Sequence, residues 1–110
     1  MSQHIHAVAG QLLLIERELR VLQWWSDEQP ESWRLQSASP FCVDTLELQE
    51  WLQWIFLPRM KLIIEQQLPL PGKCGILPVA ELSWKREERA RIAALLAAIA
   101  EMDYLLGGQD

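Results

Sequence analysis

The sequence has little of what small secreted or metal-stabilised folds depend on. Its 110 residues include only two cysteines, two histidines and five glycines. Cys42 and Cys74 flank a helix that we predict over 44–68, and at ~1.5 Å per residue that helix holds the thiols roughly 30 Å or more apart, unless the loops fold back. That separation is too large for a disulfide. The cysteines and histidines also lack zinc-ligand spacing, so we predict reduced thiols, no metal and no cofactor.

Positive charge is scarce as well. Ten Lys and Arg residues stand against fifteen Asp and Glu, a net charge of −5. This balance disfavours general nucleic-acid binding, although it leaves room for a local basic patch. No apolar run approaches the ~20 residues that span a bilayer, and the first ten residues lack the basic segment of a signal peptide. We predict a cytoplasmic protein that does not engage membranes.

What the sequence does contain is helical periodicity. Half of the residues are apolar, and they recur at spacings of three and four in three long segments, 4–25, 44–68 and 84–106. Prolines interrupt the pattern in two long loops, 26–43 and 69–83. Trp33 and Leu35 are expected to anchor the first loop, and Pro78 suits a short fourth helix over 78–82. We predict an all-α, single-domain bundle of three long helices over 1–110.

The middle helix carries the strongest local signals. Asp44 is placed to accept hydrogen bonds from the first free N–H groups, and Glu47 follows three residues later, as in a capping box. Pro58 lies inside the helix, where it has no N–H to donate to the Trp54 carbonyl, so a kink or break is expected there. The apolar stripe also changes direction after Pro58. Either the proline resets the helical phase, or this helix is buried on two sides.

Three side chains near the middle helix lack an obvious place in a core. Arg59 falls within the first apolar stripe, and a buried, unpaired guanidinium is too costly to expect. It is therefore either turned to solvent, paired with an acidic residue of another helix, or used to contact an anion or a partner. Trp54 lies opposite the first stripe. Trp25 continues a second apolar line of the first helix with Leu14 and Val21, which is either covered by the following loop or is an interaction surface.

The remaining polar clusters give little chemistry. The segment 85–91, KREERAR, places Lys85, Arg86 and Arg89 together. This is either a solvated helix face or a weak RNA contact. His4 and His6 are two residues apart and so point to different faces of a helix, which makes a poor metal site. No nucleophile has a convergent base. We therefore predict no catalytic residues and no enzyme activity.

The chain resembles a known family of small bacterial proteins. The pieces PF-x-x-DT at 40–45, EWLQW at 50–54, PRM at 58–60, LPLPG at 68–72 and P-x-x-E at 78–81 are similar in order and spacing to the YqcC-like family. This resemblance implies a helical bundle of about this size with no assigned biochemical activity. Some members of the family are encoded beside a tRNA pseudouridine synthase, which implies a connection with RNA modification.

Two functions follow as hypotheses. The first is a non-catalytic module that binds another protein through Trp54, Pro58, Arg59 and Trp25, because tryptophan and arginine are frequent at interface hot spots. Self-association is a variant of this hypothesis. The second is an accessory factor in tRNA or RNA modification, which binds RNA through Lys85, Arg86 and Arg89 or binds the synthase itself.

Overall fold

The computed structural model describes residues 3–107, and every regular element within them is helical. The elements in chain order are α1 (Gln3–Val21), α2 (Ser32–Leu35), a 3₁₀ turn (Pro40–Cys42), α3 (Leu48–Trp51), a π-helical turn (Leu52–Phe56), α4 (Leu57–Glu65), α5 (Ile76–Ser83) and α6 (Arg89–Gly107). The segments α3, the π-helical turn and α4 follow one another without interruption and are called here the central helix (48–65). The prediction of an all-α fold is confirmed.

The core lies between α1, the central helix, α5 and α6. The two longest elements, α1 and α6, have 19 residues each and pack against each other along their length, while α5 covers α6 and α4 contacts α1. The side chains that are least exposed come from all four elements: Val8, Ile15, Leu19, Leu52, Leu57, Met60, Ile76, Leu95, Ile99 and Met102. One continuous apolar cluster therefore joins the elements.

The helix α1 ends at Val21, four residues before the predicted end. Gln23 adopts a left-handed conformation with φ of 63°. The Trp24 N–H bonds to the Leu19 carbonyl at 2.9 Å and the Gln23 N–H to the Arg20 carbonyl at 3.0 Å. This pair of bonds is a Schellman motif, which satisfies the last free carbonyls of a helix. Periodicity alone does not detect it, because glutamine is not a usual residue at the left-handed position.

The apolar line on the outer face of α1 is not covered by the loop that follows. Val21 and Leu14 remain 66% and 41% exposed. Trp33, one of the two residues that we expected to anchor that loop, is 62% exposed, so the prediction is wrong for Trp33, whereas Leu35 is half-buried. Arg34 fastens the loop instead: its Nε donates to the Thr45 carbonyl at 2.8 Å, and Thr45 Oγ1 donates back to the Arg34 carbonyl at 2.7 Å. Hydrogen bonds hold this segment where an apolar anchor was expected.

The central helix begins at Leu48 rather than at Asp44. Thr45 is held by Arg34, and Leu46 N–H bonds to the Cys42 carbonyl at 2.8 Å, so the backbone around Asp44 is a turn. Asp44 accepts a hydrogen bond from Ser37 Oγ and does not cap a helix. Glu47 takes the N-cap position, and its N–H donates to Glu50 Oε1 at 2.8 Å. The capping interaction is thus shifted by three residues.

Pro58 does not break the central helix. The five residues before Leu57 form a π-helical turn in which the Leu57 N–H bonds to the Leu52 carbonyl, a wider turn than in an α-helix. Four of the side chains that this helix buries recur at intervals of four, Leu48, Leu52, Phe56 and Met60, and Gln53 and Leu57 beside them are buried as well. On a regular helix of 3.6 residues per turn such a set would drift around the axis. The wide turn removes part of that drift; that Pro58 kinks the helix, and that it resets the helical phase, stay predictions.

Two helices near the C-terminus also begin away from the predicted positions. α5 starts at Ile76, two residues before the predicted 78–82, because Asp103 of α6 accepts the Ile76 N–H at 3.0 Å and the Leu77 N–H at 2.7 Å. Trp84, which we placed at the start of the last helix, ends α5. Its buried indole Nε1 donates to Gln49 Oε1 of the central helix at 3.1 Å. α6 therefore starts only at Arg89.

Candidate functional site

An open groove beside α4 is lined mainly by aromatic and other apolar side chains, and its volume is about 290 Å³. We call it the aromatic groove. Its lining residues come from the 3₁₀ turn, the central helix and the loop before α5: Pro40, Phe41, Trp51, Phe56, Arg59, Met60, Pro71 and Cys74. Three stretches that are distant in the sequence are therefore brought together at one surface.

Three aromatic rings form one wall of the groove. Phe41 meets Trp51 edge-on with ring centroids 4.9 Å apart, and Trp51 stacks on Phe56 at 5.3 Å. Phe56 is buried, whereas Phe41 and Trp51 are half-buried. Edge-on and stacked contacts at these distances are favourable arrangements for aromatic rings. The wall is thus a supported, apolar surface that still reaches solvent.

The 3₁₀ turn presents Phe41 to the groove in a strained backbone conformation. Phe41 and Cys42 both have positive φ, 57° and 51°, a region that costs a non-glycine residue about 1–2 kcal/mol. The surrounding contacts hold this turn: the Cys42 N–H bonds to the Ser39 carbonyl at 3.0 Å, and Arg34 also donates to Glu50 Oε1 of the central helix at 2.8 Å. Strain that neighbouring contacts maintain is frequent at binding sites.

Arg59 is the one charged residue that lines the groove. It is exposed, and among residues 3–107 it has neither an ion pair nor a hydrogen bond. The alternative in which an acidic residue of another helix pairs with it is therefore wrong; its side chain is turned to solvent, and contact with an anion or a partner stays a prediction. Pro58, beside it in α4, is exposed too.

The two candidate tryptophans do not line the groove. Trp54 is half-buried, and its indole Nε1 is buried without a hydrogen-bond acceptor among the described residues. Trp25 is half-buried against the core beyond the end of α1, with the Arg20 guanidinium 4.5 Å from its ring centroid. Of the four predicted partner-binding residues, only Arg59 lines the groove.

The basic residues near the start of α6 are partly neutralised. Arg89 pairs with Glu81 at 3.1 Å. Arg91 pairs with Glu87 at 2.9 Å and donates to the Leu22 carbonyl at 3.1 Å. Lys85 and Arg86 are exposed and have no partner within residues 3–107. This segment and the end of α5 hold four cations against three glutamates, Glu81, Glu87 and Glu88, and a net charge of +1 gives only a weak positive field.

Cys74 is the residue of the groove with ordinary nucleophilic chemistry, and its surroundings suppress that chemistry. Burial raises the pKa of the thiol, and the nearby Asp103 carboxylate raises it further. Because the thiolate is the reactive form, a raised pKa makes the group less reactive. Neither Cys74 nor Cys42 is part of a disulfide in this structure.

The described residues offer no metal centre: no three His, Cys, Asp or Glu side chains in 3–107 come together as a group that could hold an ion. His4 and His6 are exposed in the first turns of α1. No helix within the same residues combines the length and apolar character needed to cross a membrane.

Sequence reasoning missed the groove as a whole, although it held a signal for it. Pro40, Phe41, Trp51, Arg59, Met60 and Pro71 all belong to the short pieces that carry the family resemblance. In the sequence these pieces form only a linear pattern. That they meet at one surface depends on the paths of two loops, which no local pattern describes.

Comparison with known proteins agrees with this fold. Residues 7–105 match a family described as "DUF446: tRNA pseudouridine synthase C". The Escherichia coli (strain K12) protein named "Uncharacterized protein YqcC" is 36% identical over 95 residues, which cover 86% of each chain. The solution NMR structure of E. coli YqcC superposes with a TM-score of 0.81 at 32% identity, covering 96% of this chain and 89% of that one.

A different arrangement is found in Pectobacterium carotovorum. A protein named "tRNA pseudouridine synthase C" is 39% identical over 85 residues, which are 76% of this chain but only 23% of that protein. The matched family, the E. coli relative and its solved structure agree with one another over nearly the whole length of the chain. The chain belongs to the YqcC-like DUF446 family.

Proposed function

We propose that this chain is a non-catalytic module that binds another protein through the aromatic groove. The observation that carries the proposal is the combination of a half-exposed aromatic wall with Arg59, an exposed arginine that has no partner within residues 3–107. Aromatic side chains and arginine are the residue types that dominate binding energy at protein interfaces. A stable interface buries on the order of 1,000 Å² or more, so the partner also covers the surface around the groove.

The test compares two arginines that differ in position alone. Arg59 and Arg86 are both exposed and unpaired among the described residues, but only Arg59 lines the groove. Wild-type, Arg59→Glu and Arg86→Glu chains carry the same affinity tag and are used to purify complexes from native cytosol, with and without ribonuclease. We expect a stoichiometric protein that survives ribonuclease, is lost with Arg59→Glu and is retained with Arg86→Glu. A protein retained equally by both variants contradicts the proposal.

A second candidate function is an accessory role in RNA modification, with a pseudouridine synthase as the partner. The Pectobacterium protein supports it, because a stretch similar to this chain forms part of a polypeptide named for that activity. Covalent linkage keeps two modules at a high effective concentration. Where the modules are separate chains, a binding surface such as the aromatic groove would have to provide the association.

This candidate is tested with the purified tRNA pseudouridine synthase of the same organism. We expect a complex on size-exclusion chromatography that Arg59→Glu abolishes. A tRNA gel shift at low salt examines direct RNA binding, which weakens steeply as salt rises. A shift that Arg86→Glu removes and Arg59→Glu leaves unchanged supports the RNA alternative at the basic residues. Absence of both complex and shift rejects the accessory role.

A further inference from the structure

We infer that the segment bound in the aromatic groove is a stretch of a partner protein that inserts one large apolar side chain and places an Asp or Glu carboxylate against Arg59. This inference rests on the proposed function and specifies the chemistry of the partner. Three features of the groove support it: the volume, the apolar side chains of the lining, and the unpaired charge of Arg59.

The groove is large enough for one bulky side chain. Its volume of about 290 Å³ lies just below the range of roughly 300–1,000 Å³ that is typical of small-molecule sites. It is also open to solvent along one side, formed by half-buried residues such as Phe41 and Trp51. An anchoring side chain can enter while the backbone of its own chain stays outside.

The walls select an apolar side chain. Aromatic rings, prolines, Met60 and the Cys74 thiol make up all of the lining apart from Arg59. Methionine and aromatic side chains adapt to and favour contact with aromatic or aliphatic groups. The raised pKa of Cys74 keeps its thiol neutral, so this side chain adds no charge. A polar group inserted here would lose its water and find few hydrogen-bond partners.

Arg59 selects a carboxylate next to that side chain. The guanidinium is planar and binds a carboxylate with two parallel hydrogen bonds. The other arginines of residues 3–107 apart from Arg86 are engaged with glutamates, so Arg59 is one of four cations without an ion pair there, together with Lys73, Lys85 and Arg86. Because the chain carries a net charge of −5, most of its surface repels an acidic segment, and Arg59 is the unpaired cation that lies beside an apolar wall.

A nucleic-acid backbone fits this groove poorly. Each phosphate that is bound requires a basic group, and useful affinity needs several such contacts. Arg59 is the one basic residue in the lining, and Lys61 of the same helix is already paired with Glu16 of α1 at 3.3 Å. One cation beside a wide apolar wall matches a peptide with one acid and one apolar anchor.

The experiment selects binding peptides without assuming a partner. A display library of random peptides, fused internally so that no free carboxyl terminus is offered, is enriched on the full-length wild-type chain, on Arg59→Glu and on Arg86→Glu. We expect wild type and Arg86→Glu to enrich an Asp or Glu within a few positions of a large apolar residue. Arg59→Glu is expected to enrich Lys or Arg at that position. An inverted charge is a result that a general loss of folding cannot produce.

A synthetic copy of the most enriched peptide then gives the magnitude. Replacing its acidic residue by Asn or Gln is expected to weaken binding by about tenfold or more, since hydrogen bonds to charged groups contribute ~1.5–3 kcal/mol. The peptide is also expected to slow alkylation of Cys74, which lines the groove. Cys42, which is buried and outside the lining, serves as the internal reference.

Several results overturn the inference: no enrichment on the wild type, enriched peptides without an acidic residue, equal enrichment on Arg59→Glu, or no protection of Cys74. If the synthase complex forms but the peptide selection fails, the proposed function is retained and this inference is rejected. If peptides of the expected kind are enriched but no synthase complex forms, this inference is retained and the groove binds another partner. Enrichment of a sequence from this chain itself replaces the partner protein by a second copy.

Discussion

Within residues 3–107, four residues other than glycine have a left-handed backbone, two at helix ends and two in the turn at the groove. Gln23 and Gln67 have φ of 63° and 56° and end α1 and the central helix. Phe41 and Cys42 shape the turn at the groove. The left-handed region costs non-glycine residues about 1–2 kcal/mol each. At the helix ends the left-handed residues belong to the turns that terminate the helices. At the groove they belong to the turn that carries Phe41, which lines the groove.

Replacing Gln67 by glycine is expected to stabilise the protein. Its N–H bonds to the Ile64 carbonyl at 3.2 Å and the Leu68 N–H to the Ile63 carbonyl at 2.9 Å, bonds that glycine preserves without the steric cost. We expect Gln67→Gly to raise the free energy of unfolding by about 0.5–1 kcal/mol, measured by urea titration.

The neighbouring glutamine is the control for this change. Gln66 has φ of −93°, where glycine gains nothing and only adds freedom to the unfolded chain. Gln66→Gly should therefore be neutral or destabilising by up to ~1 kcal/mol. If both glycine variants move the unfolding midpoint in the same direction, the left-handed cost at Gln67 is not the cause.

At the scale of elements, single polar side chains fix where helices begin and how loops run. Glu50 Oε1 accepts both the Glu47 N–H, at 2.8 Å, and the Arg34 Nη2, at 2.8 Å. One carboxylate thereby caps the central helix and fastens the loop that carries the 3₁₀ turn. Gln53, buried in the same helix, pairs its amide with the Ser26 N–H at 2.9 Å and the Ser26 carbonyl at 2.7 Å.

A double-mutant cycle on Arg34 and Glu50 should reveal this coupling. Both side chains are largely shielded, with 28% and 26% of their surface exposed. We expect Arg34→Ala and Glu50→Ala each to cost about 1–3 kcal/mol of unfolding free energy, and the double variant to cost less than their sum by about 0.5 kcal/mol or more. Additive costs would mean that the two residues act separately.

The contact between α1 and α4 is expected to depend on pH through Glu16. Burial alone raises the pKa of this carboxyl, but hydrogen bonds from Arg20 at 3.0 Å and Lys61 at 3.3 Å, with their charges, bring it below the ordinary value of 4.5. A lowered folded-state pKa contributes stability above the unfolded pKa, and this contribution is lost as pH falls through the folded pKa.

Glu16→Gln is therefore expected to lower the unfolding free energy near neutral pH by about 0.2–1 kcal/mol for each ion pair, and to differ less from the wild type at about pH 3. Urea titrations at both pH values measure the difference. Glu101→Gln changes an exposed carboxyl of α6 that has no ion pair within residues 3–107 and is the control. A Glu16→Gln deficit that persists in acid contradicts the electrostatic explanation.

At the scale of the whole molecule, one apolar cluster connects residues from α1 to α6. The described chain has a radius of gyration of 13.7 Å, near the ~13 Å expected of a folded domain of about 100 residues. The prediction of a single domain implies one cooperative unfolding transition. Tryptophan fluorescence and far-UV circular dichroism should give the same urea midpoint, and separate midpoints would divide the chain into two units.

Substitutions in the core should lower the free energy of unfolding much more than substitutions on the surface. Ile99 of α6 is 0% exposed, so we expect Ile99→Val to cost about 0.5–1.5 kcal/mol and Ile99→Ala about 2–5 kcal/mol. Leu13 of α1 is 66% exposed, and Leu13→Ala should change stability by less than ~0.5 kcal/mol. A large loss on replacing Leu13 would indicate that a second chain covers this surface.

Much of this fold could be predicted because helical periodicity is a local property. The apolar spacing in α1 and α6 identified most of their buried residues, such as Leu12, Ile15, Leu95 and Ile99, since a side chain three or four positions away lies on the same face. The same spacing could not fix the helix ends. Those depend on Gln23 for α1 and on Asp103 and Trp84 for α5 and α6.

The helical class and the apolar faces of α1 and α6 could be predicted from the order of residues alone. The candidate site could not, because it depends on contacts between distant segments. Whether Asp44 or Glu47 caps the central helix depends on Thr45 being bound by Arg34, and the groove exists because two loops bring Phe41 and Cys74 beside Arg59. These contacts join residues far apart in the chain through hydrogen bonds and packing, and a pattern of neighbouring residues carries no record of them.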